Sequence, residues 1–421
     1  MKSNDDEGLS AALPLAGYRV LEVGRVLAGP FAGLMLEDLG AEVVKAENMV
    51  DGDSTRSPAP FFNGQSHYFL CVNRGKLGVS IDARSQSGAD LIAGLISHSD
   101  ILIHNFRPNL ARNAGLDPEM LSTLRPEIIS CAITGFGSTG SKAEDPAYDL
   151  VLQATTGMLD VTGRQGDDPV KAGVPVADLF TGLYAVIGML AALRRRQKDG
   201  IGAHLDVSLF DVTLSLLTPL AEVYLASGDE LASRGAQSNT IAPHGIYPTA
   251  DGLVAIACST DDEWVALCNA LDLNELRSDE RFVSKQGRRQ HCDALDEGLS
   301  TRLALRRTDE WTERLTTNAV CWAPVCDVGK FLSGPDVRRS GVVQPLIYAD
   351  GASVDIVASP FAFSQPEGQP LRNSFRPAPT LGGDTMSVLH DVLGISIEEI
   401  DDLVRRGVVM TGPSQTQRET T

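Results

Sequence analysis

The sequence predicts an α/β protein: a Rossmann-like large domain with a mostly parallel sheet, plus a smaller α+β domain. Three observations carry this. Short apolar runs alternate with segments of helical period through the first half of the chain. The character changes between about residues 221 and 326, where charge-rich helical segments follow a turn and a strand. At 421 residues the chain is too long for one ordinary domain.

Taken in order, residues 18–23 read as a buried strand, Gly29-Pro30 opens a helix that runs to Leu39, and residues 41–46 read as the next strand, giving a βαβ unit. Residues 91–96 and 101–103 repeat helix and strand. Residues 128–133 add another strand before the turn Gly135-Phe-Gly-Ser-Thr-Gly140. Ligands of such sheets bind outside the carboxyl ends of the strands, which makes the loops after Val23, Ile103 and Ile133 candidate ligand loops. Leu179, Leu183, Val186, Leu190 and Leu193 recur at helical spacing and end in Arg194-Arg-Arg196, charges suited to a helix C-terminus. That run is shorter than the ~18 residues of a membrane span and reads as a core helix. In the second domain, residues 247–257 form a turn and strand, followed by helices over 261–271 and 309–315. The expected division is a flexible tail (1–12), the large domain (13–220), the small domain (221–326), a C-terminal segment (327–412) and a polar, disordered tail (413–421).

Composition narrows the function. The 43% hydrophobic and 22% charged fractions are those of a soluble globular protein. Thirty-six Lys and Arg against 55 Asp and Glu give a net charge of -19, which argues against nucleic acid or an anionic membrane as partner. Any phosphate site must then be locally basic. The polar, acidic start lacks the features of a secretory signal, and the seven cysteines show no pairing rhythm, so a cytoplasmic protein with reduced thiols is expected. No metal site is expected, since the histidines do not cluster and Cys321 and Cys326 have no histidine pair nearby. There is no Gly-x-Ser-x-Gly elbow, no phosphate loop and no Gly-x-Gly-x-x-Gly after the first strand.

One carboxylate stands out. Asp178, within Pro175-Val-Ala-Asp-Leu-Phe-Thr-Gly-Leu-Tyr-Ala185, is delivered to the start of the long apolar helix. There it would cap backbone N–H groups and stay ionised in the positive end of the helix dipole. An ionised carboxylate can attack an acyl carbon to form a mixed anhydride, although from the local pattern alone a plain structural N-cap is the more ordinary reading.

Six blocks, in order, decide between these readings. They are Gly17-Tyr-Arg-Val-Leu-Glu-Val-Gly-Arg-Val-Leu-Ala-Gly-Pro30, Leu39-Gly-Ala-Glu-Val-Val-Lys-Ala-Glu47, Asp100-Ile-Leu-Ile-His-Asn-Phe-Arg-Pro108, Thr134-Gly-Phe-Gly137, Ala147-Tyr-Asp149 and Pro377-Ala-Pro-Thr-Leu-Gly382. Together they resemble the class III CoA-transferases, the CaiB/BaiF family. The resemblance implies that Asp178 is the acyl-accepting nucleophile, and that the small domain interrupts a large domain to which residues 327–412 return. It also implies that two chains interlock as a homodimer. Coenzyme A or acyl-CoA enters as substrate, with no tightly bound cofactor. The matching positions for CoA are Val26, Leu27 and Ala28 after the first strand, Ile81 and Arg84 at the adenine end, Asn105, Phe106 and Arg107 in the Asn-Phe-x-Pro loop, and Tyr148 near the pantetheine arm. Arg84 and Arg107 would offer charge-assisted hydrogen bonds to phosphate oxygens. From the residues alone, Arg84 is also a solvated turn residue, Phe106 a core residue and Asn105 an Asx-turn residue.

The chain departs from the family at Asn48 and at Asn113, where arginine is frequent; Arg112 stands beside the second. His244, in Pro243-His-Gly245, replaces a family tyrosine and is either substrate-facing or an ordinary loop residue. The resemblance implies transfer of CoA from an acyl-CoA, with succinyl-CoA favoured, to a free carboxylic acid, with dicarboxylates favoured. An α-methylacyl-CoA racemase is the alternative within the superfamily, but its base before the Asp149 position is here Tyr148, whose ordinary pKa near ~10 makes a poor base. A non-catalytic CoA-binding protein is the alternative of another class.

Overall fold

A computed structural model describes residues 13–164, 166–228, 233–238, 240–364, 370–371 and 375–412. The expected tails at 1–12 and 413–421 lie outside the described residues. Within them, the chain packs as two units. One comprises 13–156, 173–218 and 338–412, and the other 157–172 and 219–337.

The first unit is built on β1 (Arg19–Glu22), β2 (Glu42–Glu47), β3 (Leu77–Ile81), β4 (Ile101–His104), β5 (Ile129–Thr134), β6 (Ala203–Ser208) and β7 (Val409–Met410). Their order across the sheet is β7-β3-β2-β1-β4-β5-β6, parallel throughout except β7, which pairs antiparallel with β3. Its helices include α1 (Ala28–Asp38), α2 (His67–Asn73), α3 (Gln86–Ser97), α4 (Asp149–Thr155) and α5 (Val176–Asp199). Side chains alternate across a strand, so the sheet has two cores. Val20, Val43, Ile101, Ile129, Cys131 and Ile133 face α1 and α5. Leu21, Val44, Val79, Ile81 and Leu102 face α3 and the helices Thr385–Leu393 and Ile397–Arg405. Each such side chain contributes roughly 1.5–3 kcal/mol on burial.

α5 is longer than the expected run. At 24 residues it is long and apolar enough to cross a membrane by length and composition, yet Ala177, Thr181, Ala185 and Met189 are fully buried in the first core. It starts after Pro175 and ends at Gly200, whose φ of 73° is the left-handed C-cap that glycine adopts freely. Gly182 sets its approach to α1, because a Cβ there would lie 2.9 Å from the Ala28 carbonyl oxygen and 3.0 Å from the Phe31 ring. Gly182→Val should therefore destabilise the large unit by about 1–3 kcal/mol, read as a lower denaturation midpoint.

The second unit carries an antiparallel sheet in the order Cys321–Pro324, Leu253–Ala257, His244–Pro248. It is covered by helices around a core of Trp264, Trp311, Phe282 and Tyr247. Its limits differ from the expected 221–326: residues 219–220, 327–337 and 157–172 belong to it. The last excursion is held by a β-bridge between Arg164 and Arg234 and by the Ser233 hydroxyl, which donates to the Gly163 carbonyl.

Candidate active site

A cavity of about 950 Å³ opens at the carboxyl ends of β1, β2, β3 and β4, where an open α/β sheet binds its ligands. Gly24 and Arg25 line it after β1, Asn48, Met49 and Val50 after β2, Ile81, Asp82 and Arg84 after β3, and Phe106 after β4. Leu110, Met120 and Leu124 add apolar surface to the wall, with Asn113 beside them.

Of the expected CoA contacts, Ile81, Arg84 and Phe106 are on this wall. Arg84 is largely exposed, and its Nε donates to Asp82 at 3.0 Å. Asn105 is not a self-contained turn residue: its amide nitrogen donates to the Arg25 carbonyl at 2.7 Å and its Oδ1 accepts the Arg25 N–H at 3.0 Å. It clamps the cavity's β1 loop instead. Leu27 and Ala28 are buried where that loop turns into α1, and Val26 holds a φ of 70°. Arg107 donates to the Glu144 carbonyl at 3.1 Å and Arg112 to Asn109 at 3.3 Å, and neither lines the cavity. Tyr148 is exposed at the N-cap of α4, also off the wall. His244 is exposed in the second unit.

Both positions of departure, Asn48 and Asn113, are on the wall. Asn48 is engaged in its own turn, accepting from the Val50 and Asp51 N–H groups at 2.9 and 3.1 Å and donating to the Gly52 carbonyl at 3.0 Å. The cations of the wall are Arg25 and Arg84. Arg25 lies in the first motif block and in the loop after Val23, but nothing in the sequence singles it out among those residues.

Asp178 lies in the first turn of α5 and is half-buried. The expectation that it caps the helix is corrected. The N-cap is Pro175, and a neighbouring carboxylate caps instead: Asp149 Oδ1 accepts the Ala177 N–H at 2.8 Å, while Gln153 Nε2 donates to its other oxygen at 2.6 Å. The helix end does not dominate the acidity of Asp178, although the carboxyl stays ionised at neutral pH as expected. Burial, and then the charge of Asp149, push it up to about 6. A carboxylate so placed is ionised at neutral pH yet more basic than a free one, as a nucleophile requires.

Tyr68 on α2, which no motif marked, stands in the field of several carboxylates. Burial raises its phenol above the usual range, followed by the charges of Asp178, Cys71, Asp53 and Asp149. Asp53 is itself a cavity residue. Tyr68 therefore keeps its proton.

A parallel α/β sheet, a cavity at its carboxyl edge and a half-buried carboxylate at a helix start are the features the resemblance led one to expect, although Asp178 itself does not line that cavity. The model of CoA-transferase family III matches residues 15–385, and the chain belongs to that family. It is a CoA-transferase. The succinate–glutarate CoA-transferase of Agrobacterium fabrum (strain C58) is 37% identical over 391 residues, covering 90% of this chain and 96% of that protein. The human succinyl-CoA:glutarate CoA-transferase is 32% identical over 397 residues, covering 94% and 90%. Among solved structures, a CAIB/BAIF family protein from Brucella suis superposes with a TM-score of 0.79 at 34% identity, over 90% of this chain and 99% of that one.

Proposed function

We propose that the protein moves CoA from succinyl-CoA to a free dicarboxylate, with glutarate the first acceptor to test, and that Asp178 carries the acyl group. The observation that carries this is the half-buried Asp178, raised to about 6 beside Asp149. The names of the two relatives above supply the donor and acceptor classes.

In this reading the Asp178 carboxylate attacks the thioester carbonyl, and CoA leaves as its thiolate, giving a mixed succinyl-aspartyl anhydride. The thiolate then attacks the aspartyl carbonyl, which releases succinate and leaves an aspartyl-CoA thioester. The acceptor carboxylate attacks that thioester and expels the thiolate again. Thiolate attack on the acceptor's carbonyl yields the new acyl-CoA and returns Asp178 to its resting state. Backbone N–H groups of the glycine-containing loops would stabilise each oxyanion, and exclusion of water would protect the anhydride. Incubation with succinyl-CoA and glutarate, read by mass spectrometry, should give glutaryl-CoA and succinate; free CoA alone would sink the proposal.

The ionised carboxylate is the nucleophile, so kcat/KM should fall about tenfold per pH unit below 6 and level off above 7. Asp149→Asn should move that midpoint down, because the charge that opposes ionisation of Asp178 is gone. On the donor side, Arg25→Ala and Arg84→Ala should each raise the acyl-CoA KM several-fold, on the order of 1 kcal/mol for an exposed charge-assisted contact. Arg107→Ala, whose guanidinium is held by the Glu144 carbonyl, should change it little.

A homodimer belongs to the same proposal. Phe180, Tyr184 and Ile187 form an exposed apolar stripe on α5, opposite its buried face, a feature that marks association surfaces. The occupant is a second copy of the chain, and sedimentation at micromolar concentration should return twice the chain mass.

A further inference from the structure

The loop between β1 and α1 holds a β-branched residue where such residues are rare. Val26 has a φ of 70°, in the left-handed region. For a valine this persists only when the surroundings impose it, and such outliers gather at functional sites. Three side chains from different parts of the sheet hold the loop. Lys45 Nζ donates to the Gly24 carbonyl at 2.8 Å. Asn105 takes both the N–H and the carbonyl of Arg25. The Val26 N–H points at the Asp53 carboxylate, 3.2 and 3.1 Å from its two oxygens.

Asp53 is itself locked. Its side chain is fully buried and sits 3.1 Å from the Lys45 ammonium. Its Oδ1 accepts from the Thr55 N–H at 3.0 Å and the Thr55 hydroxyl at 2.8 Å. Lys45 is anchored in turn by Glu22 at 2.9 Å, which also binds Lys76 at 2.7 Å, all within the core. Burial opposes the charge on Asp53, but Lys45 and Thr55 outweigh it and hold the carboxyl below its usual range. It is therefore a fixed, buried anion beside a loop whose Gly24 and Arg25 line the cavity wall, as Asp53 itself does.

We infer that Asp53 is a positioning residue for the acyl-CoA site: its carboxylate clamps the Val26 N–H and so holds the loop whose Gly24 and Arg25 wall the cavity. This rests on the cavity being the acyl-CoA site. Asparagine cannot take its place. With an amide, the NH2 group must face either the Lys45 ammonium or the Thr55 N–H, and both are donors.

The test uses the purified full-length protein, with CoA binding by calorimetry and steady-state KM for donor and acceptor. Asp53→Asn and Asp53→Ala should weaken CoA binding and raise the donor KM about tenfold, with the acceptor KM within twofold of wild type. In the Asp53→Ala background, Val26→Gly should recover at least threefold of that loss, because glycine adopts a positive φ without the clamp. A role in stability alone would lower the melting temperature, leave donor and acceptor KM unsplit, and gain no affinity from Val26→Gly. Should the Asp53 variants not fold, Val26→Pro removes the clamped N–H and forbids a positive φ without touching the buried charges, and it should give the same donor-specific loss. Leu110→Trp fills the cavity from an exposed position and separates the two readings. If it binds CoA as wild type does, the site assignment fails and the clamp's purpose with it. If it abolishes binding while folded Asp53→Asn binds CoA within twofold of wild type, the clamp alone is overturned.

Discussion

Asp178→Asn should cut transfer by at least about 10⁴-fold while the protein stays folded, since an amide cannot form an anhydride and no other side chain in the proposed path can carry the acyl group. Stability separates this from a structural role. Asp178 does not cap α5, because Pro175 is the N-cap and Asp149 accepts the first-turn N–H. Its carboxyl is raised by burial and by Asp149 from 3.8 to about 6. A raised folded value means the carboxyl's contribution to stability is fully present below about pH 4 and lost as the pH rises through 6. The asparagine variant carries no such penalty. It should melt at or above the wild type at pH 8, by up to roughly 3 kcal/mol, and show no such advantage at pH 4. An inactive variant that melts well below wild type at pH 8 would instead make Asp178 a structural residue. Near-normal turnover in a folded variant would remove it from the chemistry.

The parallel part of the fold was legible because buried strands are continuous apolar runs bounded by turns: β1, β2, β4 and β5 lie within two residues of their expected limits. The strands that were not legible are those whose pattern depends on tertiary context. β6 reads Ala-His-Leu-Asp-Val-Ser, a polar alternation explained by its place at the sheet edge. β7 has two residues and exists only through its pairing with β3. At the site, the block order points to Asp178, but its expected capping role fails, because the carboxylate that accepts the Ala177 N–H, Asp149, is 28 residues before Ala177 and cannot be seen from local spacing. The cavity shows the same limit. Ile81, Arg84 and Phe106 are legible through motif positions and Arg25 only as an unremarked member of the first block, whereas Asp53 carries no motif and is brought to the cavity only by folding. Asn48 and Asn113 illustrate the converse: they stood out only as departures from a pattern, and both are on the wall.

Donor-dependent inactivation should be the most direct evidence for the covalent path. A thioester or anhydride on Asp178 is far more electrophilic than a resting carboxylate, so hydroxylamine or borohydride should inactivate enzyme preincubated with succinyl-CoA essentially completely. Enzyme given the reagent without donor should keep its activity. The half-burial of Asp178 bears on the result, because the reagents are small enough to enter where a second protein could not, while limited water access lets the intermediate survive to be trapped. Mass spectrometry should find an aspartyl hydroxamate or a reduced alcohol on the peptide spanning residues 175–184. Added glutarate should protect, since acceptor attack converts the aspartyl-CoA thioester to a second anhydride and thiolate attack on the acceptor's carbonyl then returns the free carboxylate. Labelling that requires donor but falls elsewhere, with Asp178 unmodified, would assign the acyl group to another residue and leave Asp178 as an electrostatic neighbour of Asp149 and Tyr68.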